Sequence, residues 1–506
     1  MSIFANADAY KLSHWDMLPE NVQYVYSNLT PRKSLRPGID KFVFFGLQAF
    51  IQKLHTEFQK HFFLLPRVYA VREYIEFYKE FFGAAPKESL VRCVESLHGL
   101  GFLPIEILAL PEGNVVDHGI PVCVIFNTRP GFAWLPNFIE SWLSAEIWLP
   151  STSATTAFYY RKKFDEFAAK TSDQDFMPEF QGHDFSFRGM CGIEAASMSG
   201  AGHLLSFKGT DTLPAIAWIE KYYGPTEGMM IGTSVPATEH SVMCAGGKET
   251  ELETFRRLLK LYPTGILSVV SDTWDFWQVV TQILPQLREE IMARDGKLVI
   301  RPDSGDPVKI LCGDSTVRIS PKASQEETLA RHAAFHGLIQ SLFEIFGGTV
   351  NSKGYIDLDP HIGAIYGDSI TLERQAMILG RLQRKGFAST NVVLGIGSYT
   401  YQYVTRDTHG LAVKATAVGD ADNNITPIYK DPKTDTSGKK SAKGLLAVNL
   451  EYDEADGEYF TLRQEATVAE MRASDLQTVY RDGDIANRRT FIQIRELVNI
   501  WQKRLA

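Results

Sequence analysis

Short apolar runs recur between residues 180 and 400, and each ends in Asp, Gly or Ser. They read EFQGHDFSFRG, LLSFKGTD, GILSVVSD, KLVIRPDSGDP, HIGAIYGDS and NVVLGIGS, with helical patterns after most of them. Buried runs that alternate with helices predict strands paired in parallel. After SVVSD, one face of a predicted helix, which Pro285 should kink, carries Trp277, Val280, Leu284, Leu287 and Ile291.

Polar residues stand just past the carboxyl ends of several of these strands, namely Asp272, Asp303, Asp368 and Ser398. In (β/α) barrels the active site is built at that end, where several strands converge. A doubly wound open sheet would also place polar groups there. Between the two, we favour an α/β fold with a (β/α) barrel-like domain over residues 151–404.

The two ends of the chain carry a different pattern. Residues 104–127 read as two short strands, and the tail contains the strand-like runs LAVKATAV, LLAVNLEY and EYFTLR. Short strands joined by turns favour antiparallel pairing. We therefore predict a second, α+β domain formed from residues 1–150 and 405–506. The polar segment 419–444 is either a solvated loop or a lysine-bearing lid over an anionic ligand.

Composition narrows the classes of function. The 506 residues are 44% hydrophobic and 22% charged, which is ordinary for a globular protein, and the net charge is −8. That charge offers no field for nucleic acid or an anionic membrane. The N-terminus lacks a secretory pattern, no apolar run reaches the length of a membrane span, and the five cysteines form no C-x-x-C pair. We expect a cytoplasmic protein.

His240, in SVPATEHSVM, is the first candidate for chemistry. Glu239 precedes it directly, but neighbours in sequence do not face each other, so an orienting carboxylate would come from another strand end, such as Asp272. A histidine held by a carboxylate is poised as base, acid or nucleophile near neutral pH. The alternative is a purely structural histidine.

RPDSGDP and GIGSYT are typical of loops that bind phosphate. Arg301 offers a planar fork for phosphate, and Asp303 can accept ribose hydroxyls or help to hold Mg²⁺. The same segment could instead be a turn closed by an ion pair. GIGSYT can cradle a phosphate as late barrel loops do. Downstream, positive charge comes from Arg406, Lys414 and Lys430, unless the lysines are merely solvated.

HDFSFRG and FKGTD place an aromatic residue, an arginine and a carboxylate at two strand ends. Phe185 could stack on a flat heteroaromatic ring, although a core position is the alternative. Asp211 could accept a hydrogen bond from an amide, and Arg188 could hold a phosphate or a carbonyl.

These motifs, together with NSKGY, GD and the TRD of residues 405–407, resemble the nicotinamide phosphoribosyltransferases in order and in spacing. ADAYKLSH at 7–14 and KDP at 430–432 extend the resemblance over nearly the whole chain. It implies a type II phosphoribosyltransferase-like fold. Because Phe187 stands where the animal enzymes have Tyr, the pattern is closer to microbial or viral relatives.

The resemblance implies an activity. Such enzymes join nicotinamide to 5-phosphoribosyl 1-pyrophosphate and release nicotinamide mononucleotide and pyrophosphate, for NAD salvage. It further implies Mg²⁺, ATP as a co-substrate that phosphorylates a histidine, and a homodimer with sites at its interface.

The resemblance also implies roles for individual residues. His240 would be the phosphorylated histidine, with Asp272 orienting its ring, and both Glu239 and Asp303 are candidates to lie near magnesium. Nicotinamide would be bound by Phe185, Asp211, Arg188 and Tyr10 of the partner subunit. The phosphoribosyl pyrophosphate would be bound by Arg301, Asp303, Gly367, Asp368, Gly397, Ser398, Arg406, Lys414, Arg32 and Lys430.

Two rival functions stay open at this stage. The first is a nicotinate phosphoribosyltransferase, against which Asp211 argues, because its carboxylate would repel the carboxylate of nicotinate. The second is a non-catalytic ligand-binding protein on the same scaffold, against which the joint presence of His240, Asp272, Arg301 and Asp303 argues.

Overall fold

The structure is a computed structural model that describes residues 2–367, 369–422, 424–433, 441–454 and 457–505. These residues form two compact units. The first unit comprises Met1–Thr155, Ala217–Glu227 and Val404–Leu505, and the second comprises Thr156–Ile216 and Gly228–Tyr403. The sequence had placed 217–227 with the barrel. Within the described ranges, no helix is both long and apolar enough to cross a membrane.

The strands are short, and most have at least one buried face. In chain order they are β1 Tyr24–Thr30, β2 Lys41–Val43, β3 Ile105–Ala109, β4 Val115–Asp117, β5 Cys123–Asn127, β6 Gly182–Asp184, β7 Gly209–Thr210, β8 Thr264–Val270, β9 Asp295–Arg301, β10 Gly348–Val350, β11 Ile356–Leu358, β12 Ile362–Tyr366, β13 Val392–Ile396, β14 Ala412–Gly419, β15 Ile425–Pro427, β16 Leu445–Asp453, β17 Gly457–Ala466, β18 Gln477–Arg481 and β19 Asp484–Ile485.

The helices vary widely in length. The α-helical segments are Leu47–Phe58, Arg67–Phe82, Glu88–Leu100, Leu135–Thr171, Pro178–Gln181, Ile193–His203, Leu213–Tyr223, His240–Cys244, Glu251–Leu261, Phe276–Gln278, Leu284–Gln286, Arg288–Met292, Pro307–Cys312, Gln325–His336, Leu338–Phe346, Leu372–Arg384, Ser398–Tyr401, Val468–Ala473 and Phe491–Arg504. Short 3₁₀ segments are Ile3–Asn6, Ala9–Met17, Phe187–Gly189, Lys248–Thr250, Ser389–Asn391 and Arg406–Thr408, and π-helical turns are Gln59–Phe63 and Val279–Ile283.

The first unit is built on a seven-stranded sheet of order β15-β14-β1-β5-β3-β18-β19. Every pairing in it is antiparallel. The N-terminal strand β1 pairs with β14 and β3 pairs with β18, both from the far end of the chain, so both chain ends contribute to one α+β unit. The stretch 104–127 holds three short strands where the sequence predicted two.

The second unit is built on a parallel sheet of order β7-β6-β13-β12-β9-β8, and each of its six strands overlaps one of the six predicted runs. The segment 233–238 joins the two edges of this sheet. Parallel bridges link Gly209 to Thr233 and Ala237 to Ser268. The strands therefore close into a ring, which confirms the α/β class with a barrel-like sheet.

Alternate residues of this ring face inward and outward, as the pleat of a strand requires. On β9, Leu298 and Ile300 are fully buried on the outer face. Lys297, Val299 and Arg301 face the interior, where they line a cavity of about 340 Å³ together with side chains of β8, β12 and β13. This small ring is therefore not filled by its own side chains.

Two helices show how the sequence shapes their ends. A π-helical turn, Val279–Ile283, lies just before Pro285, which is where the sequence predicted a kink, because proline has no N–H to donate. The NSKGY turn caps the long helix Leu135–Thr171. Asn351 donates to the carbonyl of Thr171 at 2.9 Å, and Lys353 to that of Ser172 at 2.5 Å.

Candidate active site

The carboxyl ends of the ring strands surround an open polar cavity of about 330 Å³, which we call the mouth. It is lined by Phe185, Arg188, Asp211, Arg301, Asp303, Gly367, Ser369, Gly397, Ser398 and Tyr399. Eight of these ten residues were predicted from the sequence as site residues. Asp368, also predicted, lies outside the residues that the structure describes.

Phe185 forms an aromatic wall of the mouth directly after β6. Its N–H donates to the carbonyl of Ile396 at 3.1 Å, and its half-buried ring lies 4.6 Å from the ring of His183. The ring sits against Gly395 of β13, where an added Cβ would come within 2.5 Å of Phe185 Cδ2. Glycine at 395 thus leaves the space that the ring occupies.

Asp211, two residues after the start of β7, is held as a carboxylate. His183 Nε2 lies 3.2 Å from its Oδ1, and the hydroxyl of Ser234 donates to the same oxygen. Partial burial raises the pKa of Asp211, but these hydrogen bonds and the charges of His183 and Arg301 outweigh it, so the net pKa lies below its usual value. Neither His183 nor Ser234 was assigned a role from the sequence.

Arg301 and Asp303 occupy the end of β9. Arg301 Nη2 donates to the carbonyl of Thr238 at 2.7 Å, while its buried Nε has no hydrogen-bond partner among the described residues. A Cβ at Gly367 would collide with Asp303 Oδ1, so the glycine allows β12 to pass beside that carboxylate. Guanidinium and carboxylate therefore face the mouth side by side, as a ribose phosphate requires.

His240 begins a short helix, and Asp272 lies beside it. Nδ1 of His240 is 3.2 Å from Thr273 Oγ1, and Nε2 is 3.9 Å from Asp272 Oδ1. That oxygen is buried and has no hydrogen-bond partner in the described part of the chain, so a small rotation of the imidazole would satisfy it. Glu239 instead accepts a hydrogen bond from the hydroxyl of Ser241.

Asp272 connects the histidine to the mouth. Its Oδ2 accepts hydrogen bonds from the N–H of Asp303 at 3.1 Å and from Ser304 Oγ at 2.5 Å. The imidazole and the aromatic wall therefore belong to one continuous set of side chains at the carboxyl ends of the ring strands. The sequence did not single out the hydroxyls of Thr273 and Ser304.

The glycine-containing loop after β13 lies against the loop after β6. Ser398 begins the four-residue helix Ser398–Tyr401, and a Cβ at Gly189 would collide with its hydroxyl. Gly397 has only open space where its Cβ would be. Arg188 is exposed in the turn Phe187–Gly189 and lines the mouth. Backbone N–H groups and a guanidinium here can receive an anion.

The first unit contains a second polar cavity, of about 140 Å³, which we call the cationic pocket. It is lined by Asn28, Thr30, Arg32, Gly119, Ala412, Lys414, Ser441 and Ala442. Burial lowers the pKa of Lys414; the charges of Arg32, Arg406 and Lys430 lower it further, and Glu140 opposes them. The fold thus brings together four cations predicted from distant parts of the sequence, and an anion would relieve their repulsion.

Tyr10 lies on the 3₁₀ segment Ala9–Met17 of the first unit, with 58% of its surface exposed. Its neighbour Lys11 pairs with Glu140 at 2.6 Å, and Lys414 lies 3.9 Å from the same carboxylate. Glu140, which the sequence did not indicate, therefore links the Tyr10 segment to the cationic pocket. The remaining predicted site residues of the described chain, from Phe185 to Ser398, belong to the second unit.

The carboxylates at the mouth fit a magnesium ion for which substrate phosphates and waters supply most of the ligands. Within the described ranges no three His, Cys, Asp or Glu side chains cluster as a metal site. Magnesium commonly takes one or two carboxylates and completes its shell with waters and substrate phosphates. Asp303 at the mouth can supply such a ligand, whereas Glu239 is engaged by Ser241.

The fold and the mouth define a phosphoribosyltransferase, and comparison with known proteins agrees. Residues 180–483 match the model of the nicotinate phosphoribosyltransferase (NAPRTase) family, and residues 2–107 match the nicotinamide phosphoribosyltransferase N-terminal domain. The chain belongs to this family of phosphoribosyltransferases, within which its N-terminal domain and its curated relatives are of the nicotinamide type.

Two relatives show the extent of the similarity. The chain is 46% identical to the nicotinamide phosphoribosyltransferase of Acinetobacter baylyi over 97% of this chain and 95% of that protein. It is 33% identical to the enzyme of the same name from Xanthomonas campestris over 98% and 97%. A nicotinate-nucleotide pyrophosphorylase structure from Pyrococcus furiosus superposes with a TM-score of 0.56 at 13% identity, covering 99% and 96%, and shows the fold alone.

Proposed function

We propose that this enzyme joins nicotinamide to 5-phosphoribosyl 1-pyrophosphate for NAD salvage. The pyridine nitrogen of nicotinamide bonds to C1 of the ribose, the C1–O bond breaks, and its electron pair leaves with pyrophosphate. One observation carries the proposal: ionised Asp211 stands beside the Phe185 ring at the mouth that also holds Arg301 and Asp303. A flat amide and a ribose phosphate would find their partners in one cavity.

The base needs position more than activation, because its ring nitrogen is already a nucleophile. Phe185 stacks on the pyridine ring, and Asp211 accepts a hydrogen bond from the carboxamide N–H₂. Arg188 lies at the same mouth and can hold the amide carbonyl or a phosphate. In a homodimer, Tyr10 of the partner subunit would close the other face of the pyridine ring.

The phosphoribosyl pyrophosphate carries most of the negative charge. Arg301, Asp303, Gly367, Gly397 and Ser398 line the mouth where its ribose phosphate would bind. Arg32 and Lys414 line the cationic pocket, and Arg406 and Lys430 lie close enough to lower the pKa of Lys414. We expect these four cations to bind further phosphates of the substrate. As C1 and pyrophosphate separate, negative charge builds on the leaving group, and fixed cations stabilise it. Bound Mg²⁺ would neutralise further charge on the pyrophosphate.

His240 would couple ATP to this reaction. An imidazole nitrogen takes the γ-phosphoryl group of ATP, and ADP leaves; hydrolysis of the phosphohistidine then drives the cycle toward product. Asp272 Oδ1 lies 3.9 Å from Nε2, and we expect this carboxylate to orient the ring and to stabilise its positive charge. The cytoplasm, where ATP and the phosphorylated sugar are available, is the compartment that we propose, and the five cysteines are free thiols there.

A steady-state assay of nicotinamide against nicotinate, with and without ATP, tests the proposal. We expect kcat/KM to favour nicotinamide by at least about tenfold, since a carboxylate opposite the partly buried Asp211 costs ~1.4 kcal/mol or more. ATP should raise turnover and leave an acid-labile phosphate that His240→Ala lacks. Preference for nicotinate, or no pyrophosphate release at all with Mg²⁺ present, would overturn the proposal in favour of the acid-specific or the non-catalytic alternative.

A further inference from the structure

Two histidines from distant parts of the first unit meet edge to edge beside the cationic pocket. His118 Nε2 lies 3.2 Å from His409 Nδ1, and the rings are nearly parallel at 18° with centroids 5.4 Å apart. His409 is 1% exposed, and the ring of Phe42 packs edge-on against both imidazoles. We call His118 and His409 the histidine pair.

The hydrogen bonds assign the protons of the histidine pair. His118 Nδ1 lies 2.8 Å from the carbonyl oxygen of Asp40, which can only accept, so this nitrogen carries a proton. In the neutral state His118 Nε2 is then an acceptor, and His409 Nδ1–H donates to it. His409 Nε2 is buried and has no hydrogen-bond partner among the described residues, which suits an unprotonated nitrogen.

The backbone around the histidine pair holds the segments that carry Arg32 and Arg406. The N–H of Lys33 donates to the carbonyl of His409 at 3.3 Å, and the N–H of Leu35 to that of Thr408 at 2.8 Å. Arg32 Nε donates to the carbonyl of Gly410 at 2.9 Å. On the other side, the N–H of Gly119 donates to the carbonyl of Pro31 at 2.7 Å.

We propose that the histidine pair is a positioning device for the cationic pocket, which fixes Arg32 and Arg406 for a ligand bearing phosphate groups. His118 and His409 adjoin Gly119 and Gly410, the residues that hold the Arg32 segment from its two sides. A single directional hydrogen bond between the imidazoles sets the spacing of the two loops. The inference rests on the proposed function of the pocket as a phosphate site.

An apolar pair would fill the same space, so the role of the hydrogen bond can be separated from packing. His409→Leu keeps the volume and removes the donor, whereas His409→Asn retains an N–H near the position of Nδ1. We expect His409→Leu to weaken inorganic pyrophosphate binding about tenfold, and His409→Asn to restore most of it. The probe is pyrophosphate with Mg²⁺, measured by calorimetry on the full-length enzyme at pH 7.5.

Kinetics provide a readout that a general loss of stability would not mimic. His409→Leu should raise KM for the phosphorylated substrate about tenfold, with KM for nicotinamide and kcat changed less than about twofold. His98→Leu is the matched control, since His98 also packs on a phenylalanine and bonds to a backbone carbonyl, at 2.9 Å from Leu65 O, but lines no part of the pocket. Its KM values should match those of the wild type.

Further variants distinguish phosphate binding by the cationic pocket from the positioning role of the histidine pair. If Arg32→Ala and Lys414→Ala leave pyrophosphate affinity unchanged, the pocket is not a phosphate site and the proposed function of these cations fails. If they weaken binding while His409→Leu does not, the positioning role is overturned. Should His409→Leu fail to fold, His118→Leu against His118→Gln repeats the comparison at the half-buried ring, and equal affinity of those two variants would refute it.

Discussion

We propose that selectivity between the two pyridine bases depends on Asp211. Its pKa is depressed by hydrogen bonds from His183 and Ser234 and by nearby positive charge, so it is ionised at neutral pH. We predict that Asp211→Asn narrows the kcat/KM preference for nicotinamide over nicotinate by about tenfold, because the amide no longer repels a carboxylate. Parallel assays with the two bases at pH 7.5 measure this ratio.

The same substitution at an aspartate away from the mouth is the control for that experiment. Asp173 accepts hydrogen bonds from the N–H of Ser352, at 2.8 Å, and from its hydroxyl, so Asp173→Asn changes a comparable carboxylate in another loop. Its selectivity ratio should equal that of the wild type. An unchanged ratio in Asp211→Asn would remove Asp211 from contact with the carboxamide.

His409 links the stability of the first unit to pH. Burial, followed by the charges of His118 and Arg36, lowers the pKa of His409 from 6.5 to about 3. Below pH 6.5, His409 therefore binds a proton in the unfolded chain but stays neutral in the folded chain. The contribution of His409 to the free energy of unfolding is fully present above that pH. It should decrease by about 1.4 kcal/mol for each pH unit between pH 6.5 and 3.

The expected result is a difference between two proteins. From pH 7.5 to 5.5, the melting temperature of the wild type should fall by about 2 °C more than that of His409→Leu, which has no imidazole to protonate at that position. Thermal unfolding in matched buffers records both. Parallel curves for the two proteins would show that His409 is protonated in the folded state or accessible to water.

Strand β13 determines the position of the Phe185 ring, which forms the aromatic wall of the mouth. A Cβ at Gly395 would approach Phe185 Cδ2 within 2.5 Å and the carbonyl of Gly367 within 2.9 Å. We predict that Gly395→Ala displaces the ring and raises KM for nicotinamide about tenfold or more, since 1 Å of misplacement is costly at a reacting centre. Steady-state kinetics with saturating phosphorylated substrate would measure it.

Gly380→Ala is the matched control for the strand glycine. In the helix Leu372–Arg384 its Cβ would make ordinary contacts, at 3.5 Å from Arg384 Nη1 and 3.9 Å from the Phe167 ring. Alanine there should leave KM unchanged and preserve or slightly raise stability. If Gly395→Ala bound nicotinamide as tightly as Gly380→Ala does, the Phe185 ring would not be the binding surface.

The elements that sequence predicts well are those with a strong local signal. All six ring strands were predicted because continuous apolar runs before a polar turn mark buried parallel strands. The closing segment 233–238 was missed, since it contains Pro236 and makes only isolated bridges, so it carries no period of two. Missing it also hid Ser234, whose hydroxyl reaches Asp211 only because the ring closes.

The residues of the candidate site also differ in how well the sequence predicts them. Residues within motifs, such as Arg301 and Asp303, follow from the sequence because each stands at a strand end. Glu140, His118 and His409 could not be predicted, because their partners lie far away in sequence and only the folded first unit brings them together. Long-range polar contacts leave no local pattern to read.

The proposed role of Tyr10 depends on the assembly of two subunits, because it would act in the site of its partner. If each site combines Tyr10 of the partner subunit with Phe185 and Asp211 of its own chain, Tyr10→Ala and Asp211→Ala damage opposite halves of it. Alanine is used at 211 because asparagine would keep a hydrogen-bond acceptor for the carboxamide. In a mixed dimer one site would then carry both lesions, and the other would be intact. Two poorly active variants, mixed and allowed to exchange subunits, should recover about a quarter of wild-type activity.

The recovery depends on subunit exchange and on nothing else in the mixture. Random pairing makes about half of the dimers mixed, and each of these has one intact site of two, which gives the quarter. The control mixes Asp211→Ala with Arg301→Ala. Both residues line the mouth of their own chain, so each site of a mixed dimer carries one of the two substitutions and no intact site can form. Recovery by neither mixture, despite exchange verified by mass, would place Tyr10 in its own subunit's site or outside the site altogether.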